Sequence, residues 1–101
     1  MRGLIIGRYD VDLEWQIDKI IDDYKLYQNI SKERILRTHH STRVYFANGD
    51  IWETIKYNPL LNAIRGKRVN IIYIDHTIPE EDVDIIKTYA TAPPFQGYKL
   101  F

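Results

Sequence analysis

Apolar positions along this chain change period several times, and each change marks an element. Leu4-Ile5-Ile6 is a short apolar run bounded by Gly3 and Gly7, the pattern of a buried strand. Leu13, Ile17, Ile20, Ile21, Tyr24 and Tyr27 then recur at three- and four-residue steps, which predicts an amphipathic helix with Asp10 or Asp12 placed to cap its first turn. Residues 31–38 read two ways, because Ser31 is able to open a helix while Ile35-Leu36 fits a short strand equally well. Over 42–57 both flanks of Asn48-Gly49 are β-prone, and that dipeptide suits a type I′ turn, so a hairpin is expected. A two-residue loop sets Phe46 opposite Ile51 and Tyr45 opposite Trp52. Val44, Phe46, Ile51 and Ile55 then share the core face, and Tyr45 and Trp52 the outer one. Val69 to Ile74 is almost continuously apolar and β-branched, as in a strand covered on both faces near a sheet centre. Thr77-Ile78-Pro79-Glu80 has the spacing of a capping box, and Val83, Ile86, Tyr89 and Ala90 form the stripe of a second helix. Pro93-Pro94 stops it, and Gly97 to Phe101 adds an edge strand or packs its aromatics.

These elements make an α/β fold: a small mixed sheet with a central β-hairpin and two main helices, in a single domain over residues 1–101. With 45% hydrophobic and 28% charged residues, the composition is that of a folding globular chain. The absence of cysteine removes disulfides, zinc-thiolate sites and thiol nucleophiles, and a small domain without disulfides fits a reducing, cytoplasmic setting. The apolar start at Leu4 meets Arg8 and Asp10 well before signal or membrane-span length, so no membrane partner is expected. Fourteen basic residues balance fourteen acidic ones, and any anion affinity must therefore be local. Basic residues from Lys32 to Arg68 crowd the middle of the chain, whereas acids gather at 10–23 and 75–84.

Three stretches resemble the ATPase domain of phage terminase large subunits: Arg43 to Trp52 around Asn48-Gly49, Asn62 to Gly66 with its Arg-Gly pair, and Val69 to Asp75. That family orders a strand, an Asn-Gly turn, a second strand, an Arg-Gly loop and a Walker B strand ending in acid, and the likeness covers about a third of the chain. It implies a reduced P-loop-type domain, with Asp75 at the place of the magnesium-binding aspartate. The chain departs from the family at two points. Gly7-Arg8-Tyr9-Asp10-Val11-Asp12 lacks the lysine and the Ser/Thr of a phosphate loop and puts carboxylates where a triphosphate would sit. His76 stands where the resemblance implies a catalytic glutamate. Both departures argue against ATP hydrolysis.

Several candidate chemistries remain. Asp10 and Asp75 both follow strands, where open α/β sheets place ligands, and two such carboxylates are able to share magnesium in a phosphoryl-transfer or nuclease site; capping and strand-end solvation explain them equally. His76 is a candidate general base, although on the opposite face of a strand it points away from Asp75. His39-His40 alternate in direction when extended and suit a shared metal poorly, and Ser41 lacks a nucleophile elbow. The loop Arg65-Gly66-Lys67-Arg68, with Arg43 and Lys56, is fitted to phosphates or to an acidic protein surface, and Tyr45 and Trp52 add stacking or an anchor. The expectation is a non-catalytic, phage-type interaction or regulatory protein, without a cofactor, that contacts a host or viral protein or a second copy of itself through Tyr45, Trp52, Arg65, Lys67 and Arg68. The alternatives are nucleic-acid binding by the central basic cluster and a metal-dependent enzyme built on Asp10, Asp75 and His76.

Overall fold

In the computed structural model, which describes residues 1–101, the elements run β1 (Arg2–Gly7), α1 (Asp10–Gln28), β2 (Lys32–Arg37), β3 (Ser41–Phe46), β4 (Ile51–Lys56), β5 (Ile71–Ile74), α2 (Glu80–Ala90) and β6 (Tyr98–Leu100). They build one six-stranded mixed sheet in the order β2-β3-β4-β1-β5-β6. β4, β1, β5 and β6 are mutually parallel, while β2 and β3 pair antiparallel onto the β4 side. Strand alternation sends Leu4 and Ile6 to one face, where they join Ile72, Ile74, Val83, Ile86 and Ala90 beneath α2. Ile5 points the other way and joins Leu13, Ile17, Ile20 and Tyr24 of α1. Burying each of these side chains is worth about 1.5–3 kcal/mol relative to exposure, so the two clusters clamp β1 between the helices. No helix is long and apolar enough to cross a membrane.

The ambiguous stretch at 31–38 forms the edge strand β2, and the C-terminal stretch forms the other edge, β6. β5 lies one place in from that edge, between β1 and β6, so the sheet centre belongs to β4 and β1. Neither helix has the expected side-chain cap: Tyr9 and Pro79 occupy the N-cap positions, and Asp10, Asp12, Glu80, Glu81 and Asp82 instead place negative charge in the first turns, where the helix dipole favours it. The Thr77 hydroxyl, expected to cap α2, bonds Asp75. At its other end α1 closes with Asn29 in the left-handed region (φ 53) and Ile30 donating its N–H to the Tyr24 carbonyl, a Schellman arrangement.

The hairpin register differs from expectation. Phe46 receives the Gly49 N–H at 3.0 Å and donates to Asp50 O at 2.9 Å, so Ala47, Asn48 and Gly49 form a three-residue loop with Gly49 at φ 92. One extra loop residue shifts β4 by one position. Tyr45 therefore pairs with Ile51 and Val44 with Trp52. Val44, Phe46 and Trp52 share the α1 face, whereas Ile51 and Ile55 take the face of Tyr45.

Candidate anion-binding face

α2 covers only part of its side of the sheet: no residue of β2 or β3 joins the cluster beneath it. The register defines what that uncovered area carries. One row runs Arg34, Tyr45, Ile51, Arg2 across β2, β3, β4 and β1, and the next runs Leu36, Arg43, Glu53, Leu4. At its centre is Glu53, a buried acid on β4. Arg43 Nη2 donates to its Oε2 at 2.9 Å and Lys67 Nζ to its Oε1 at 2.7 Å. Burial pushes this carboxyl up, but the bonds from Lys67 and Arg43 outweigh burial and hold it below the ordinary glutamate range. Arg43 also donates to the Tyr45 hydroxyl at 3.4 Å, and the Arg34 guanidinium lies 4.4 Å from the centre of the Tyr45 ring. Those two arginines, Arg43 first, draw the Tyr45 hydroxyl below the usual tyrosine range.

Arg2, Arg43, Lys67 and Arg68 line a shallow groove of about 40 Å³ around Glu53. Four cationic side chains thus surround one carboxylate, and that carboxylate is already engaged by two of them. Arg2 and Arg68 have no ion-pair partner in the chain. The space is that of a single anionic group, a carboxylate or a phosphate oxygen cluster, approached by guanidinium forks that favour either.

Of the residues singled out from sequence, Tyr45, Lys67 and Arg68 meet on this face. Trp52 does not: it is buried on the opposite face, 3% exposed, and donates its indole N–H to the Tyr24 hydroxyl at 3.0 Å. The one-residue register shift is the physical reason. Arg65 lies apart, 5.9 Å from the Tyr89 ring beside α2. Arg2 and Glu53 escaped sequence reasoning, although an acid inside the β-prone stretch Ile51 to Ile55, between Trp52 and Ile55, was a readable signal that a cation must approach that strand.

The metal and catalytic candidates fare differently. β1 and β5 are neighbours, so Asp10 and Asp75 do follow adjacent strands. Their carboxylates are committed elsewhere. Asp75 is buried; Oδ1 accepts the Thr77 N–H at 2.9 Å and the Thr77 hydroxyl at 2.8 Å, and Oδ2 accepts the Arg8 N–H at 3.3 Å. Burial raises this carboxyl, and the Thr77 and Arg8 bonds more than offset it. Asp10 projects into solvent 3.7 Å from Lys56. No group of three or more His, Asp or Glu residues is placed to hold a metal ion. His76 is exposed, with Nδ1 donating to Phe101 O at 2.7 Å, which ties β5 to the chain end; because β5 stops at Ile74, His76 lies in a turn with Nδ1 3.8 Å from Asp75 Oδ1 and does not point away from that carboxylate as a strand position would. Gly7 lies against the Leu13 and Phe101 side chains, a packing role between β1 and α1. His39 and His40 stand at the β2–β3 turn with ring centres 6.4 Å apart.

No family model, curated protein or solved structure matches this chain.

Proposed function

We propose that this protein is a non-catalytic, phage-type interaction or regulatory protein whose uncovered sheet face, centred on Glu53, receives an acidic surface of a host or viral protein. The observation that carries this reading is the groove in which Arg2, Arg43, Lys67 and Arg68 surround a single, already paired carboxylate. Such a face has unspent positive charge although the whole chain is neutral. Tyr45, with Arg34 over its ring and Arg43 bonded to its hydroxyl, adds an amphipathic contact at its border. The phage setting comes from the sequence likeness to terminase ATPase domains.

A second reading is favoured by the Tyr45–Arg34 stack: a base or a nucleic-acid backbone also satisfies a cationic sheet face with an aromatic ring. One experiment separates the two. Tagged wild type and the triple variant Arg2→Gln/Arg34→Gln/Arg68→Gln are used for affinity capture from host lysate with and without nuclease. A protein retained by wild type after nuclease and lost with the variant is the expected result. An undiminished partner on the variant sinks the proposed face. Material lost on nuclease treatment, with affinity falling steeply in salt, selects nucleic acid instead.

A further inference from the structure

We propose that the cleft at the carboxyl end of β4, which shares Glu53 and Lys67 with the groove described above but none of its arginines, binds the phosphate of a small phosphorylated molecule. The cleft holds about 320 Å³, a size that suits a small organic ligand. It opens where β4 ends at Lys56, alongside the parallel strand β1, and open α/β sheets place ligands beyond the carboxyl ends of their strands.

Three separate segments bring donors to it. His40 comes from the β2–β3 turn, Lys56 from the end of β4 and Lys67 from the connection to β5. Lys67 is held in place by Glu53, the one carboxylate in the lining, whose two oxygens are already taken by Lys67 and Arg43. Lys56 faces Asp10 at 3.7 Å, but both groups are largely solvated, and such a pair is worth little against a multivalent anion. Asn58 uses its Oδ1 to accept the Leu60 N–H at 2.9 Å, which leaves its amide NH₂ to donate. No arginine lines the cleft. A planar carboxylate is matched by an arginine fork, whereas the ammonium, imidazole and amide side chains that line this cleft suit a tetrahedral anion. Ile55, Tyr57 and Ala63 supply an apolar wall for the organic remainder.

The test is a ¹H–¹⁵N chemical-shift titration of the full chain with phenyl phosphate at constant ionic strength, with benzoate and sodium chloride as controls. Saturable shifts at Ser41, Lys56, Asn58 and Ala63 are expected, weakened about tenfold in Lys56→Gln, as for loss of one charge-assisted hydrogen bond, and unaltered in Arg2→Gln/Arg68→Gln. Ala63→Leu, which fills the cleft without touching a charge, should abolish them while the rest of the spectrum stays folded. A phosphoserine peptide distinguishes the source: if it binds more tightly than phenyl phosphate, the phosphate belongs to a partner protein, and if more weakly, to a free small molecule. Shifts no larger than those from chloride, equal saturation by benzoate, or shifts confined to Arg34, Arg43 and Tyr45 would overturn the assignment.

Discussion

Trp52 and Tyr45 lie on adjacent strands and on opposite faces, and their environments assign them different work. The Trp52 indole packs edge-on to Tyr73 at 5.3 Å and bonds Tyr24, whose ring stacks on Phe46 at 3.9 Å and whose hydroxyl donates to Asp50 at 2.6 Å. Burial first, then the bond to Asp50, raise the Tyr24 hydroxyl well above the usual tyrosine range, so it stays a neutral donor at any working pH. Trp52→Ala is accordingly expected to cost about 3–5 kcal/mol in urea denaturation, whereas Tyr45→Ala should cost less than about 1 kcal/mol and instead reduce partner capture. Equal destabilisation by the two would contradict this division. Gly3 belongs to the same account, because a β-carbon there would overlap the Trp52 ring. Gly3→Ala should therefore destabilise by about 1–3 kcal/mol through overpacking, read as a lowered melting temperature.

At the scale of elements, the β3–β4 hairpin decides which side chains reach the groove. Gly49 at φ 92 sits in open space, so a side chain there meets no neighbour and the strain is wholly in the backbone. Gly49→Ala should cost about 1–2 kcal/mol, and binding measured on the folded fraction should be unchanged, since the register is also held by β4 against β1. A change in binding without a change in stability would point to the loop itself as a contact. β2, the exposed edge beyond the hairpin, carries Lys32, Arg34 and Arg37 and a register shift between Lys32 and Arg34. Charge and irregularity of this kind guard an edge against unwanted pairing, which leaves the face rather than the edge as the offered surface.

For the whole molecule, three carboxylates distributed over the sheet share one electrostatic property. Asp50, Glu53 and Asp75 are each pushed up by burial, yet partners outweigh that effect and hold all three below their ordinary values. A folded-state pKa below the unfolded one means that the unfolded chain binds protons more readily as pH falls. The stabilisation is complete above the ordinary carboxylate range of about 4 and is lost as pH drops through the folded values. Urea midpoints should therefore be flat from about pH 5 to 7 and decline steeply below about pH 4. Asp75→Asn should lower the plateau and make the acid decline shallower, because one of the three linked protons no longer contributes. A decline as steep as wild type would show that the Thr77 and Arg8 bonds do not carry the linkage.

Local pattern was enough to place Leu4-Ile5-Ile6 in a strand, Leu13 to Tyr24 on the buried stripe of α1, Val83, Ile86 and Ala90 on that of α2, and Asn48-Gly49 in a turn, whereas Tyr27 and Tyr89, which share those periods, are exposed. These depend on repeat period and turn chemistry, which neighbouring residues encode. The pairing of Trp52 with Val44 rather than Tyr45 depends on whether the loop holds two residues or three, a choice closed by the Phe46 and Asp50 backbone bonds. Strand order was likewise outside local reach, and with it the meeting of Arg2 from the first strand, Arg43 from the hairpin and Arg68 from the loop before β5. The sequence by itself determined most of the helix and strand segments, residues 31–38 and the C-terminal stretch excepted, and that the middle of the chain is basic. Only the tertiary structure decided which basic residues act together, because that follows from register and from contacts between segments far apart in the chain, where a buried Glu53 gathers Arg43 and Lys67 around one point.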